Sequence, residues 1–305
     1  MPAKDHVDDE IAEHVSGETL IRRGELLAKR TTLRVGGPAD LYLEPASEPD
    51  LRAVLSFCRE HSRPFFVLGR GSNLLVKDGG FRGVVICLAH EKFSRIETAG
   101  QRLHCGAGAK LKAVAVQARR NGLAGLEFLE GIPGSVGGAL RMNAGAMGRA
   151  MLQVVESVRL MDFDGRVHER TAAELNAAYR SCPTLNTHIA LSAVLRGEPG
   201  LREVIEQRMN EFSQRRWKSQ PAAPSAGCIF KNPDSIPAGK LIDELGLKGT
   251  CVGGAVVSAE HGNFIVNEGA ATARDVLTLI ELVRQRARLE RGIELQTEVE
   301  IVGEE

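Results

Sequence analysis

The sequence predicts an α+β protein. Residues 31–199 form a first part of two lobes, about 31–95 and 96–199, and residues 200–305 form a second domain. Three features carry that reading. Short strand and helix patterns follow one another with glycine turns between them. Two of those turns are dense in glycine: Gly69-Arg70-Gly71-Ser72-Asn73, and the stretch from Gly131 to Gly148. The run Gly197-Glu198-Pro199-Gly200 is the best linker candidate, since it separates a strand pattern from a helix pattern.

Composition narrows the function classes. Lys plus Arg and Asp plus Glu number 39 each, so no net field favours nucleic acid or an anionic membrane. Aromatic residues make up 4% of the chain, too few for a base-stacking platform. The six cysteines, at 58, 87, 105, 182, 228 and 251, form no C-x-x-C pair. Neither a zinc site nor a disulfide framework is indicated, and reduced thiols in a cytosol are expected. Met1–Val15 is acidic without an apolar signal core, and no apolar run approaches membrane-spanning length. The expectation is a cytoplasmic protein with no membrane, nucleic-acid or metal partner.

Taken in order, residues 1–30 read as a polar, loosely held leader, with order beginning near Thr31. A Gly36-Gly37-Pro38 turn leads to a strand. The next helix has Ser47 as N-cap and Asp50 three residues on, with Leu51, Val54, Leu55 and Cys58 on one face. Strands at 65–68, 74–76 and 84–88 surround the first glycine turn. A strand near 102–106 leads to a helix with Leu111, Val114, Ala115 and Ala118 in register. Residues 154–161 and 166–170 form a hairpin across Asp164-Gly165, and 189–195 is a return strand. Beyond the linker, Leu201, Ile205, Met209 and Phe212 define a helix. Strands at 254–257 and 263–266 precede a final helix capped by Thr272 with Asp275 and ended by Gly292. A last strand covers 293–302.

Glycine at the density of 131–148 weakens a helix or strand interior. It permits close backbone approach, with amide N–H groups free to meet an anion. The plain alternative is a tight connection between packed layers. A second glycine turn upstream favours one phosphate-bearing ligand shared by both, and two such loops suggest a dinucleotide such as FAD. A Walker lysine motif and a full G-x-G-x-x-G are both missing, so P-loop and Rossmann readings fail. On the last strand, Ile293, Leu295, Thr297, Val299 and Ile301 alternate inward. Glu294, Glu298 and Glu300 then share the opposite face, and periodicity does not choose among them.

Eight segments, in order, resemble the UDP-N-acetylenolpyruvoylglucosamine reductases, flavoenzymes of peptidoglycan precursor synthesis. They are 32–40, Leu68-Gly-Arg-Gly-Ser-Asn-Leu-Leu75, 131–145, Tyr179-Arg180-Ser181, 225–233, 238–249, 257–267 and 297–303. The short region after Tyr179 and the segment His261-Gly262-Asn263-Phe264 resemble the family's type II branch.

The resemblance implies a two-lobed FAD-binding domain of the vanillyl-alcohol-oxidase (PCMH) type, followed by an α+β substrate-binding domain. It implies non-covalent FAD, NADPH as reductant, UDP-N-acetylglucosamine enolpyruvate as substrate, and a monomer. Cofactor contacts would come from Val35, Gly36, Gly69, Arg70, Gly71, Ser72, Asn73 and Leu74. Gly131, Pro133, Gly134, Ser135, Gly137, Gly138, Asn143, Ala144 and Gly145 would supply the rest. Arg180 and Glu298 would flank the substrate carboxylate, and Cys228 stands where the family mostly has a serine proton donor. Tyr179, Lys231, Asn232 and His261 would contact substrate. Arg215 or Arg216 would reach its diphosphate, with Arg216 the choice carried forward. The alternatives are another FAD oxidoreductase on the same fold, or a flavin-binding protein without catalysis.

Overall fold

The computed structural model describes residues 10–305. By contacts the chain divides into two compact units. One holds the residues through 23 together with 41–69 and 83–215, and the other holds 24–40, 70–82 and 216–305.

A four-stranded sheet has the order Leu20–Leu26, Pro38–Glu44, Phe81–Cys87, Phe65–Leu68. Its last two strands run parallel, from Phe65 opposite Val84 to Leu68 opposite Cys87. The crossover between strands is the helix Glu48–Glu60. Ser47 Oγ accepts the N–H of Asp50, as the sequence predicts, and Leu51, Val54, Leu55 and Cys58 are buried. A five-stranded antiparallel sheet orders Val167–Thr171, Val155–Asp162, His188–Arg196, Arg102–Gly106 and Ile96–Ala99. The predicted hairpin turns at Gly165, whose φ of 83° suits glycine. Helix Leu111–Arg120 buries the four predicted residues against the same core.

The second unit has an antiparallel sheet ordered Ser225–Cys228, Phe264–Asn267, Ala255–Val257, Cys251–Val252. Helix Ala273–Arg291 starts at a reciprocal Thr272/Asp275 cap and ends at Gly292, whose φ is 65°. Val276, Leu279, Ile280 and Val283 pack into a core that also takes Leu33, Val35 and Leu75. Leu74–Val76 pairs in parallel with Glu300–Val302. This unit is therefore assembled from chain pieces far apart in sequence.

Four expectations need correction. Order begins before Thr31: Leu20–Leu26 is a strand, and Ile11 is wholly buried in the first core. Leu20-Ile21-Arg22-Arg23-Gly24-Glu25-Leu26 lacks apolar alternation because it is an outer strand, half-buried only in part. Residues 1–9 of the expected leader lie outside the described residues. The linker candidate is no linker. Glu198 and Pro199 pair with Ala124 and Leu123, and Gly200 N–H donates to Gly122 O at 2.8 Å. Helix Arg202–Ser219 follows, with Ile205 and Met209 in the first core, so the unit boundary falls inside that helix. Leu201 precedes the helix and is exposed. The glycine stretch is not all loop, since Val136–Arg141 is helical, and the last strand shortens to Glu300–Val302. Between 293 and 299 the chain is held by single bonds rather than a ladder.

Candidate active site

In the first unit the glycine stretch is zipped onto the turn before helix Leu111–Arg120. Leu111 N–H donates to Gly134 O (3.1 Å), Val136 N–H to Ala109 O (2.9 Å) and Gly137 N–H to Ala107 O (2.8 Å). Ser135 caps the short helix, its Oγ accepting Gly138 N–H at 3.4 Å. The first residue of the other glycine turn lies against this loop: a Cβ on Gly69 would stand 3.1 Å from Ser135 Oγ and 3.8 Å from Gly138 Cα. At Gly69 and Gly137 a Cβ would press on its neighbours at 3.1 and 3.2 Å, so the protein's own packing favours glycine there, in line with the plain alternative of a tight connection. At Gly138 a Cβ would meet Ser135 Oγ at an ordinary 3.6 Å, and at Gly131 it would meet nothing within 4 Å. Gly138 costs about 1 kcal/mol of helix propensity against alanine, and no internal contact calls for it. A cradle that one methyl group would narrow fits a phosphate-bearing cofactor laid along 131–138.

The same stretch continues to the Arg180 turn. Asn143 has a left-handed backbone (φ 38°), and its side chain spans two chain segments. Its Oδ1 accepts Leu152 N–H and its Nδ2 donates to Ala178 O, both at 3.1 Å. Ala178 and Ser181 close a turn by mutual main-chain bonds of 2.9 and 3.3 Å. Tyr179 and Arg180 form its tip, Arg180 with φ 53° and its guanidinium carbon 4.9 Å from the centroid of the exposed Tyr179 ring. A Cβ on Gly145 would stand 3.3 Å from Arg180 Nη1, so the guanidinium lies over that glycine.

The second unit collects the other candidates. Cys228, half-buried, ends the strand Ser225–Cys228, which pairs with Phe264–Asn267 through a register shift. Gly227 has φ 76°, and a Cβ there would lie 3.7 Å from Ser72 O. One residue beyond Cys228, Ile229 O accepts Glu298 N–H at 2.8 Å; Phe230 bridges Thr297, and Lys231 N–H donates to Gln296 O at 2.9 Å. Asn73 Nδ2 donates to Glu298 O at 3.0 Å, and Glu300 N–H donates to Asn73 O at 3.1 Å. Cys228 and Glu298 thus sit on adjoining extended segments, with Ser72 and Asn73 beside them. Thr32 Oγ1 ties this group further, reaching Ser225 O at 2.7 Å and Gly71 O at 3.2 Å. Environment now separates two of the glutamates: Glu294 is exposed and paired with Arg288 at 3.0 Å, whereas Glu298 is half-buried. Glu300 is half-buried as well.

Other predicted residues have placements of their own. Val35 is buried in the second core, and Gly36 lies against Val76, where a Cβ would come within 2.6 Å of Val76 Cβ. Arg70 and Pro133 are exposed, Leu74 is buried, and Ala144 is half-buried. Asn232 Oδ1 accepts Ala238 N–H at 3.0 Å, holding the start of a helix. The His261 ring lies on Phe264 with Nδ1 accepting Asn263 N–H, and burial lowers its pKa. Arg215 is exposed, while Arg216 is half-buried with its guanidinium 5.9 Å from the Trp217 ring. Cys58 and Cys105 are buried thiols whose pKa is pushed up to about 12 by desolvation. Among the described residues no group of three or more metal-ligating side chains converges, and no helix is long and apolar enough to cross a membrane.

Sequence reasoning missed Asn263. It is buried, and its amide both accepts Phe230 N–H (2.9 Å) and donates to Phe230 O (2.8 Å), fixing the segment after Cys228. A lone amide at the head of the apolar run Phe264-Ile265-Val266 was the available signal.

Comparisons with known proteins bear on this geometry. Residues 39–171 match the family described as FAD binding domain. Residues 220–302 match the family described as UDP-N-acetylenolpyruvoylglucosamine reductase, C-terminal domain. The reductase of that name from Clostridium novyi is 41% identical over 295 residues, 96% of this chain and 95% of its own. The chain belongs to the UDP-N-acetylenolpyruvoylglucosamine reductase family. A second such reductase, from Heliobacterium modesticaldum, is 47% identical over 92% of this chain and 90% of its own. The crystal structure of the Thermus caldophilus reductase superposes with a TM-score of 0.80 at 41% identity, covering 93% of this chain and 99% of that one. Family membership together with the FAD-binding domain makes the chain an FAD-dependent oxidoreductase of peptidoglycan synthesis, with the predicted α+β fold of PCMH type.

Proposed function

We propose that the chain reduces UDP-N-acetylglucosamine enolpyruvate to UDP-N-acetylmuramate, using NADPH and a non-covalently held FAD, as a cytoplasmic monomer. The observation that carries this reading is the lacing of the Cys228 and Glu298 segments beside Ser72 and Asn73, inside a unit whose sequence matches the reductase C-terminal domain. The functional division into a flavin-binding part, 31–199, and a substrate-binding part, 200–305, is supported by the matches at 39–171 and 220–302.

The Gly131–Gly138 loop and the Gly69–Leu74 turn would hold the cofactor phosphates by close backbone approach, and Asn143-Ala144-Gly145 would lie near the ring system. The chemistry FAD supplies when bound is hydride transfer, from NADPH to N5 and from N5 to the enolpyruvyl β-carbon. Negative charge then develops on the substrate's α-carbon and carboxylate. Arg180 sets a fixed cation against that carboxylate. Cys228 donates its thiol proton to the α-carbon, completing the lactyl ether, and the thiolate left behind is reprotonated from water. Glu298 flanks the same carboxylate and contributes in its protonated form, or by sharing a proton. Tyr179, Lys231, Asn232 and His261 contact the sugar nucleotide, and Arg216 its diphosphate. The test is direct: purified protein is yellow, releases intact FAD on acid precipitation, and oxidises NADPH only when the enolpyruvyl sugar nucleotide is added. Colourless protein, or NADPH oxidation indifferent to that substrate, overturns the reading.

A further inference from the structure

Asn143 belongs to the loop expected to contact flavin, yet both ends of its amide are engaged inside the first unit. Oδ1 accepts Leu152 N–H and Nδ2 donates to Ala178 O, each at 3.1 Å. Ala178 O also accepts Ser181 N–H at 3.3 Å, so both of its lone pairs are used. That carbonyl is the base of the turn whose tip is Arg180. The turn needs holding, because Arg180 is an L-residue at φ 53°, a conformation that persists only where surrounding contacts impose it. Asn143 is itself at φ 38°, which asparagine tolerates better than most residues. Its amide thus reaches the base of the Arg180 turn, and the Arg180 guanidinium lies over Gly145, two residues beyond Asn143.

We propose that Asn143 is a positioning residue for Arg180, setting the arginine over the cofactor loop, and is not itself a cofactor ligand. This rests on the reading of Arg180 as the group that meets the substrate carboxylate.

The test uses purified holoenzyme of Asn143→Ala, Asn143→Asp, Arg180→Ala and the double variant Asn143→Ala/Arg180→Ala. Three quantities are read: the FAD dissociation constant from cofactor fluorescence, the rate of flavin reduction by NADPH, and the rate of reoxidation by the enolpyruvyl substrate. Asn143→Ala should keep the FAD constant and the reduction rate within about twofold of wild type, and slow reoxidation about tenfold, the scale of one lost positioning bond. Asn143→Asp keeps the acceptor for Leu152 N–H and the tolerance of a left-handed backbone, loses the donor to Ala178 O, and should slow reoxidation as much. In the Arg180→Ala background, adding Asn143→Ala should change reoxidation by less than twofold, because the group it positions is gone. A tenfold weaker FAD constant with unchanged reoxidation would make Asn143 a cofactor ligand and overturn the proposal. So would full additivity in the double variant, or failure of both Asn143 variants to fold. Reoxidation at the wild-type rate in Arg180→Ala is a different failure: it removes the role of Arg180 itself, and the proposal with it.

Discussion

Arg180 in the first unit stands at the tip of a four-residue turn with a left-handed backbone, whose base carbonyl at Ala178 accepts the Asn143 side-chain amide. Cys228 and Glu298 in the second unit stand on adjoining extended segments joined by successive main-chain bonds between 229–231 and 296–299. Main-chain bonds survive substitution of any side chain along them, whereas a bond from a side chain goes with that side chain. The second unit should therefore tolerate loss of a reactive side chain without displacing its neighbours. The Arg180 turn should be vulnerable at a residue that does no chemistry. A cation acts over several ångströms and can sit on a turn, while a proton donor must meet one carbon at hydrogen-bond reach.

The sharpest way to break this contrast is at Cys228. Cys228→Ala should slow flavin reoxidation by substrate at least a hundredfold, as for a lost general acid, while reduction by NADPH and the melting temperature stay near wild type. Cys228→Ser should retain substantial activity, since a hydroxyl occupies nearly the same place. Stopped-flow traces of the two half-reactions decide it, and an alanine variant that reoxidises normally would reduce Cys228 to packing. Next in size, Glu298→Gln should lower turnover by roughly two orders of magnitude, with Glu294→Gln and Glu300→Gln near wild type. Equal losses at all three would mean a polar face without a chosen acid.

Gly138→Ala separates cofactor from fold in the first unit. The helix should gain up to about 1 kcal/mol in the apoprotein, visible in thermal melts, while the FAD dissociation constant rises tenfold or more. Higher stability with unchanged FAD affinity would move the cofactor away from this glycine. Gly71 gives no such separation. Its φ is 61°, and a Cβ there would stand only 2.4 Å from Arg30 O, so any side chain at this position is a folding defect. The smallest effect should come from Asn73→Ala. It removes the amide bond to Glu298 O but leaves Glu298 N–H on Ile229 O and Glu300 N–H on Asn73 O. A fewfold loss in reoxidation is expected, less than for Asn143→Ala. The reverse order would mean that the main-chain bonds do not hold Glu298 as described.

Local elements were legible wherever one signal sufficed. The Ser47 and Thr272 caps, the Gly292 stop, the Asp164-Gly165 hairpin and the buried faces of the helices each follow from neighbouring residues. Ile11 and the outer strand Leu20–Leu26 were not legible, because an isolated anchor and a strand without alternation leave no period to read. Glycine composition hid the helix Val136–Arg141, whose start is fixed by the Ser135 cap. The site divides in the same way. Residue types and order brought Arg180, Cys228 and Glu298 forward through family resemblance. The bonds from Asn73, Asn143, Asn263 and Thr32 join residues up to 225 apart in sequence, and no local pattern announces them.

The parallel pairing of Leu74–Val76 with Glu300–Val302 has a consequence for synthesis on the ribosome. The earlier strand leaves the exit tunnel long before its partner is translated. At about 5–20 residues per second the delay is on the order of ten to forty-five seconds. Through that interval an apolar strand edge waits unpaired, beside a core still missing its long C-terminal helix. Nascent chains of this protein should therefore be clients of a holding chaperone until Glu300–Val302 emerges, and a fragment begun at residue 216, which lacks Leu74–Val76, should not fold alone.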